Sequence, residues 1–136
     1  MSIKVIAQKL LSYNSKTVNN NIYSKEVVDA AISDDDFKAK LSSGLIFAAP
    51  LSAFNPTSGL VNPDAICGKL IAVSSTDDGL YGTLELFDTT DIGKIACSLA
   101  NNHQLVYGCI GEGKDDGVNI IEYKIKGINI SGPEIQ

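Results

Sequence analysis

The chain has 136 residues, 44% of them apolar and 20% charged, with 11 Lys+Arg against 16 Asp+Glu and a net charge of −5. That size and balance describe one globular domain, 1–136, able to bury a core of its own. No cluster of basic residues stands out, which argues against a nucleic-acid groove, and no apolar run approaches the length that spans a membrane.

The opening residues do not read as a secretory leader, because Gln8 and Lys9 break the apolar run and no small-residue cleavage site follows. Residues 3–13 instead predict a first strand. The stretch 14–22, "NSKTVNNNI", is a turn-rich loop. Ser24 is placed to cap a helix with Val27, Val28, Ala31 and Ile32 on its apolar face. Ser33, with Asp36 three positions on, looks like the cap of a second helix that buries Phe37 and Leu41 and stops at Gly44. The acids at 34–36 suit the positive end of that helix dipole, and they read as a solvated helix start rather than a metal site.

"LIFAAP", 45–50, predicts a buried strand. A long loop follows from Leu51 to Asp64, with Pro56, Gly59, Asn62 and Pro63. Loops of that length in compact domains carry function more often than short ones do. Two strands, 66–73 and 80–87, flank "SSTDDG", and in the second Leu80, Leu84 and Leu86 share one face. A helix is predicted over 88–102, with Ile92, Ile95, Ala96 and Leu99 as its buried stripe and Cys97 beside it. A last hairpin joins strands at about 104–112 and 118–130 through "KDDG". Ile121, Tyr123 and Ile125 share a face, and the phase flips at Gly127 to Ile128 and Ile130, the mark of a bulge or bend. The expected fold is α+β: a mostly antiparallel β-barrel or curled sheet flanked by about three short helices.

The three cysteines, Cys67, Cys97 and Cys109, are far apart and odd in number, so they read as reduced thiols. With His103 the one histidine, a zinc site has too few of its usual ligands; no metal or cofactor is expected. In "LVYGCIGEG", 105–113, both faces are nearly apolar, which predicts a strand buried on both sides with Cys109 as a small hydrophobe.

Taken in order, "NNNIYSKEVVDAAI" (19–32), "FNPTSGLVNPDAICGKL" (54–70), "DDGLYGTLELFDTTDIGKIACSLA" (77–100), "YGCIGEG" (107–113) and "YKIKGINISGPE" (123–134) resemble the prohead, or head-maturation, proteases of tailed phages, relatives of the herpesvirus assemblin. The resemblance implies a histidine base, a serine nucleophile and a third polar residue. At the His-Pro position this chain has Asn55 before Pro56; at the serine of Ser-x-Gly it has Cys109; where one branch has an acid just before the final Ile-Ser pair, it has Gly127 before Ile128-Asn129. An amide is no useful base, and an unperturbed thiol near pKa 8.5 is only slightly ionised at pH 7. His103 is six residues from Cys109, roughly 20 Å along an extended strand.

These differences lead to the expectation of no enzyme. The function expected is that of a non-catalytic virion structural protein, such as a capsid decoration (cement) or head-assembly protein. Its partners would be the major capsid protein or other virion proteins, with room for a homo-oligomer and no role for nucleic acid or membrane. Its place would be the virion, and the host cytoplasm during assembly. The 51–64 loop and the 14–23 segment are the expected contact surfaces. The alternatives are a cysteine-variant maturation protease using Cys109 and an unrelated binding module.

Overall fold

The computed structural model describes residues 2–16, 21–55, 57–133 and 135. Among them the strands are β1 Ser2–Ser12, β2 Phe47–Pro50, β3 Gly68–Ser75, β4 Gly79–Phe87, β5 Val106–Asp115 and β6 Ile120–Ser131. The helices are α1 Lys25–Ser33, α2 Asp35–Ser42 and α3 Asp91–Asn101. Short 3₁₀ turns at Leu51–Ala53 and Pro63–Ala65 bracket the long loop. The strands form one sheet in the order β1-β4-β3-β2-β6-β5, antiparallel throughout except where β2 runs parallel to β6. This is the expected α+β fold with a curled sheet.

Period-two alternation sets the core. Leu80, Leu84 and Leu86 all point inward and are fully buried, while Tyr81, Thr83 and Glu85 remain half-exposed on the outer face. Leu84 is paired with Val5 on one side and Leu70 on the other. Ile128 and Ile130 of β6 close the same core with Val28 of α1 and Ile46. Helices α1 and α2 pack against β3, α1 also against β6, and α3 against β4.

The helix ends explain where the elements stop. Ser24 caps α1, its Oγ accepting the Val27 N–H at 3.2 Å. The expected Ser33 cap is wrong by one residue. Ser33 is still in the last turn of α1, and it is Asp34, in extended backbone, whose Oδ2 accepts the Phe37 N–H at 3.1 Å. Asp36, the supposed partner of Ser33, forms an i,i+4 ion pair with Lys40 instead. Helix α2 ends at Gly44 (φ 71°), where Gly44 N–H donates to the Leu41 carbonyl and Leu45 N–H to the Lys40 carbonyl, a Schellman motif.

Helix α3 ends on the same motif with a histidine in the glycine's place. His103 has φ 57°; its N–H donates to the Ala100 carbonyl, and the Gln104 N–H donates to the Leu99 carbonyl. The left-handed conformation is disfavoured for a residue with a Cβ. His103→Gly is therefore expected to raise stability by about 0.5–1 kcal/mol, read as a higher urea midpoint at unchanged slope.

Several boundaries shift from expectation. The buried strand at 45–50 starts at Phe47, since Leu45 belongs to the α2 terminus; the helix over 88–102 runs 91–101, capped by Thr90, whose Oγ1 accepts the Gly93 N–H. Cys97 is not beside the α3 stripe but buried within it. Ile121 does not join the Tyr123 and Ile125 face: Lys114 pairs with Glu122 and Asp115 with Ile120, so Ile121 is an unpaired extra residue that stands exposed while Ile120 turns inward. The predicted phase flip at Gly127 is real, because Ile110 pairs with Gly127 and Gly111 with Ile125, which leaves Lys126 as the extra residue of a second bulge.

The largest correction concerns β5. It is an edge strand and not one buried on both sides; Val106 is 61% exposed on its outer face. Sequence alternation cannot distinguish an apolar strand at a curled edge from one in a sheet centre.

Candidate functional site

Gly127, Asn55 and Cys109 test whether the resemblance assembles a site. The loop after β2 folds back over the outer side of the β5–β6 pair and encloses a cleft of about 450 Å³, lined by Leu51, Phe54, Asn55, Gly59, Ile110 and Lys126. Glu112 stands at its rim with its carboxylate 3.5 Å from the Lys126 ammonium. Gly127 lies under the Phe54 ring: a Cβ built there would sit 2.6 Å from Phe54 Cε1 and 3.2 Å from the Phe47 carbonyl oxygen.

Asn55 has a structural task in this loop. Its Oδ1 accepts the Thr57 and Ser58 N–H groups at 2.8 and 2.9 Å, and its own N–H donates to the Leu60 carbonyl at 2.7 Å. The side chain thus shapes the turn that walls the cleft. Pro56, with 19–20 and 134 from the other motif stretches, lies outside the described residues.

Cys109 is on the opposite face. It pairs with the fully buried Ile128 and packs against the core with Tyr107 and Tyr123, whereas its neighbour Ile110 faces the cleft. Its thiol lies near Tyr13, Tyr23 and Tyr123; the residue is half-buried where Cys67 and Cys97 are buried, and desolvation of the thiol pushes its pKa up to about 12. Tyr23 and Tyr123 meet edge to face at 5.0 Å between ring centroids. Burial likewise raises Cys67 to about 11 and raises Cys97.

A thiol whose folded pKa lies above its unfolded value gives stability that is complete below about pH 8.5 and is lost as pH rises toward 12. Native protein at pH 8 is expected to resist iodoacetamide at all three cysteines, while the urea-unfolded chain takes up one adduct per thiol; intact-mass measurement reads the difference. Rapid labelling of native Cys109 would contradict its placement.

His103, just past the end of α3, lines a separate cavity with Ile3, Val5 and Tyr107, where the two edge strands β1 and β5 approach each other. It does not join Asn55 in the cleft. Among the described residues no group of three or more His, Cys, Asp or Glu converges to hold a metal ion.

Most of the cleft lining comes from the 51–64 loop singled out in the sequence, Leu51 and Phe54 among it; sequence reasoning missed Ile110, Glu112 and Lys126 on the hairpin opposite. The signal for Ile110 was present, since strict alternation sets it opposite Cys109. The bulge at Lys126 showed as the break in period two at Gly127, but the folding back of the loop had no local signature.

The curled six-stranded sheet with three flanking helices is similar in fold to a capsid protease. The solved structure of the bacteriophage T4 capsid assembly protease, gp21, superposes with a TM-score of 0.65 at 13% identity, over 95% of this chain and 80% of that one. No family model and no curated protein sequence matches the chain. The structural likeness corrects the expectation of a non-enzyme drawn from Asn55, Cys109 and Gly127. A protein that shares this fold over 95% of the chain is itself a protease, which tells against the non-enzyme reading.

Proposed function

We propose that the chain acts in the assembly of a phage head, holding a segment of capsid or scaffold polypeptide in the cleft beside Asn55 and Ile110. The observation that carries this reading is the fold shared with a capsid assembly protease over 95% of the chain. The cleft supports it: the wall is apolar at Leu51, Phe54 and Ile110, and the same loop carries Leu51 at 61% and Leu60 at 73% exposure. In this reading the partner is the major capsid protein or another virion protein, and the role is that of a capsid decoration or head-assembly component. The place of action is the head and, while the head is built, the host cytoplasm.

The neighbour's activity favours a second reading, in which the chain cuts the segment it holds. With Cys109 as nucleophile, β5 would have to bring its core face to the cleft, and a base would have to come within hydrogen-bond reach of the thiol.

Both readings are tested by incubating the purified protein with candidate capsid and scaffold proteins, following capture by co-sedimentation and cleavage by mass spectrometry. Capture that is lost in Ile110→Asp supports the first reading. New termini that vanish in Cys109→Ala support the second. Neither capture nor cleavage with any head protein would sink both.

A further inference from the structure

Both long hairpins turn on an Asp-Gly pair, Asp78–Gly79 between β3 and β4 and Asp116–Gly117 between β5 and β6. Asp-Gly is the dipeptide in which a backbone nitrogen most readily attacks the preceding side chain, because glycine offers no steric hindrance. The glycine nitrogen bonds to Cγ of the protonated aspartate, the amide proton and the carboxyl hydroxyl leave as water, and a succinimide forms. Water then opens the ring at the other carbonyl and leaves an isoaspartate linkage, with mass restored and no other reactant consumed. The step needs a free amide nitrogen, a free carboxyl group and a backbone able to bring them together.

The folded turns engage the nitrogen and the carboxylate at both sites, and at 116–117 the backbone is closed as well. At 116–117, the Gly117 N–H donates to Asp115 Oδ1 at 2.9 Å. Asp116 Oδ1 accepts the Val118 and Asn119 N–H groups at 3.1 and 2.8 Å, and its Oδ2 accepts from Asn119 Nδ2 at 3.3 Å. The Asp116 N–H donates to the Asn119 carbonyl at 3.0 Å, which closes the turn, with Gly117 at φ 109°. At 78–79, the Gly79 N–H donates to Thr76 Oγ1 at 3.3 Å. The Asp78 carboxylate accepts from Thr76 Oγ1 at 2.6 Å, from the Tyr81 hydroxyl at 3.1 Å and from Lys9 Nζ at 3.2 Å.

We infer that Asp116 and Asp78 are latent isoaspartate sites, held shut because the folded turn binds the reacting nitrogen to one neighbour and the reacting carboxylate to others. The two turns use different side chains, Asp115 and Thr76, for the same blocking bond. The same hydrogen bonds hold both carboxyls below the usual range, so the neutral acid, the better electrophile, is scarce. Opening of either hairpin tip releases the reaction; an added backbone carbon at 116 then breaks the 116–119 closure beside the cavity between α1 and the β5–β6 hairpin.

The unmodified chain is aged at 37 °C and pH 7.4, native and in guanidinium chloride, then digested, and isoaspartyl peptides at 78 and 116 are counted by electron-transfer mass spectrometry. Native formation is expected to be slower by roughly tenfold or more at both sites, the factor that follows from a local opening free energy of about 1.4 kcal/mol. Asp115→Ala should speed isomerisation at 116 and leave 78 slow; Thr76→Ala should do the reverse. Equal rates in native and unfolded chain would overturn the inference, whatever the variants do. So would a folded Asp115→Ala, checked by circular dichroism, whose rate at 116 is unchanged.

Discussion

Replacing Gly127 by aspartate, the acid that the resemblance sets at this position, should destabilise the protein by about 2–4 kcal/mol. The new Cβ would meet Phe54 Cε1 at 2.6 Å and Cζ at 3.0 Å, too close for any real contact, so the ring must move. The carboxylate would enter a buried position near the Phe47 carbonyl oxygen, which repels it. Gly127→Ala brings the steric part alone and should cost about 1–2 kcal/mol. Phe54→Ala opens the space, so the double variant Phe54→Ala/Gly127→Asp should lose less than the sum of the singles. Urea unfolding of the four proteins measures this directly. An unchanged midpoint for Gly127→Asp would mean that the Phe54 ring does not cover Gly127.

Leu84→Ala tests the core at its centre and should cost about 2–5 kcal/mol. Leu84 is fully buried between Val5 and Leu70 on the neighbouring strands, so a cavity left there is walled by two ladders that cannot close on it. A domain of this size has about 5–15 kcal/mol in total, so the variant should lose a large share of its stability. Val106→Ala is the control, because Val106 is exposed on the edge strand and should change stability by less than about 0.5 kcal/mol. Equal midpoints for the two variants would mean that the inward and outward faces of the sheet have been confused.

Much of the fold was legible in local pattern. Leu80, Leu84 and Leu86 alternate with polar neighbours, and such a strand has one way to face a core. Ser24 and Gly44 mark helix ends by chemistry that needs no distant partner. Even the bulge at Gly127 was visible, as a break in period two. What failed locally was fine competition between adjacent residues: Asp34 displaced Ser33 as the α2 cap because the chain breaks helical geometry at 34.

The site was legible only in part. The resemblance pointed to Asn55, Cys109 and Gly127; of these Asn55 lines the cleft, and Gly127 is buried beneath Phe54 in its wall. The fold turns Cys109 away, since a residue paired with Ile128 must share its face. The inference to the absence of an enzyme rested on three altered side chains and their unperturbed chemistry, and the likeness of the whole fold to a capsid assembly protease tells against it.

By itself, then, the sequence determined the elements, their inward faces and the α+β class, because those follow from hydrogen bonding and burial within a few neighbouring residues. Tertiary structure alone decided that β5 is an edge, that the 51–60 loop folds over the last hairpin, and that Ile110 rather than Cys109 faces the resulting cleft. Those outcomes depend on strand order and on which sheet face a distant segment covers. Residues far apart in the chain settle such matters by competing for the same buried surface, and no local pattern records the result.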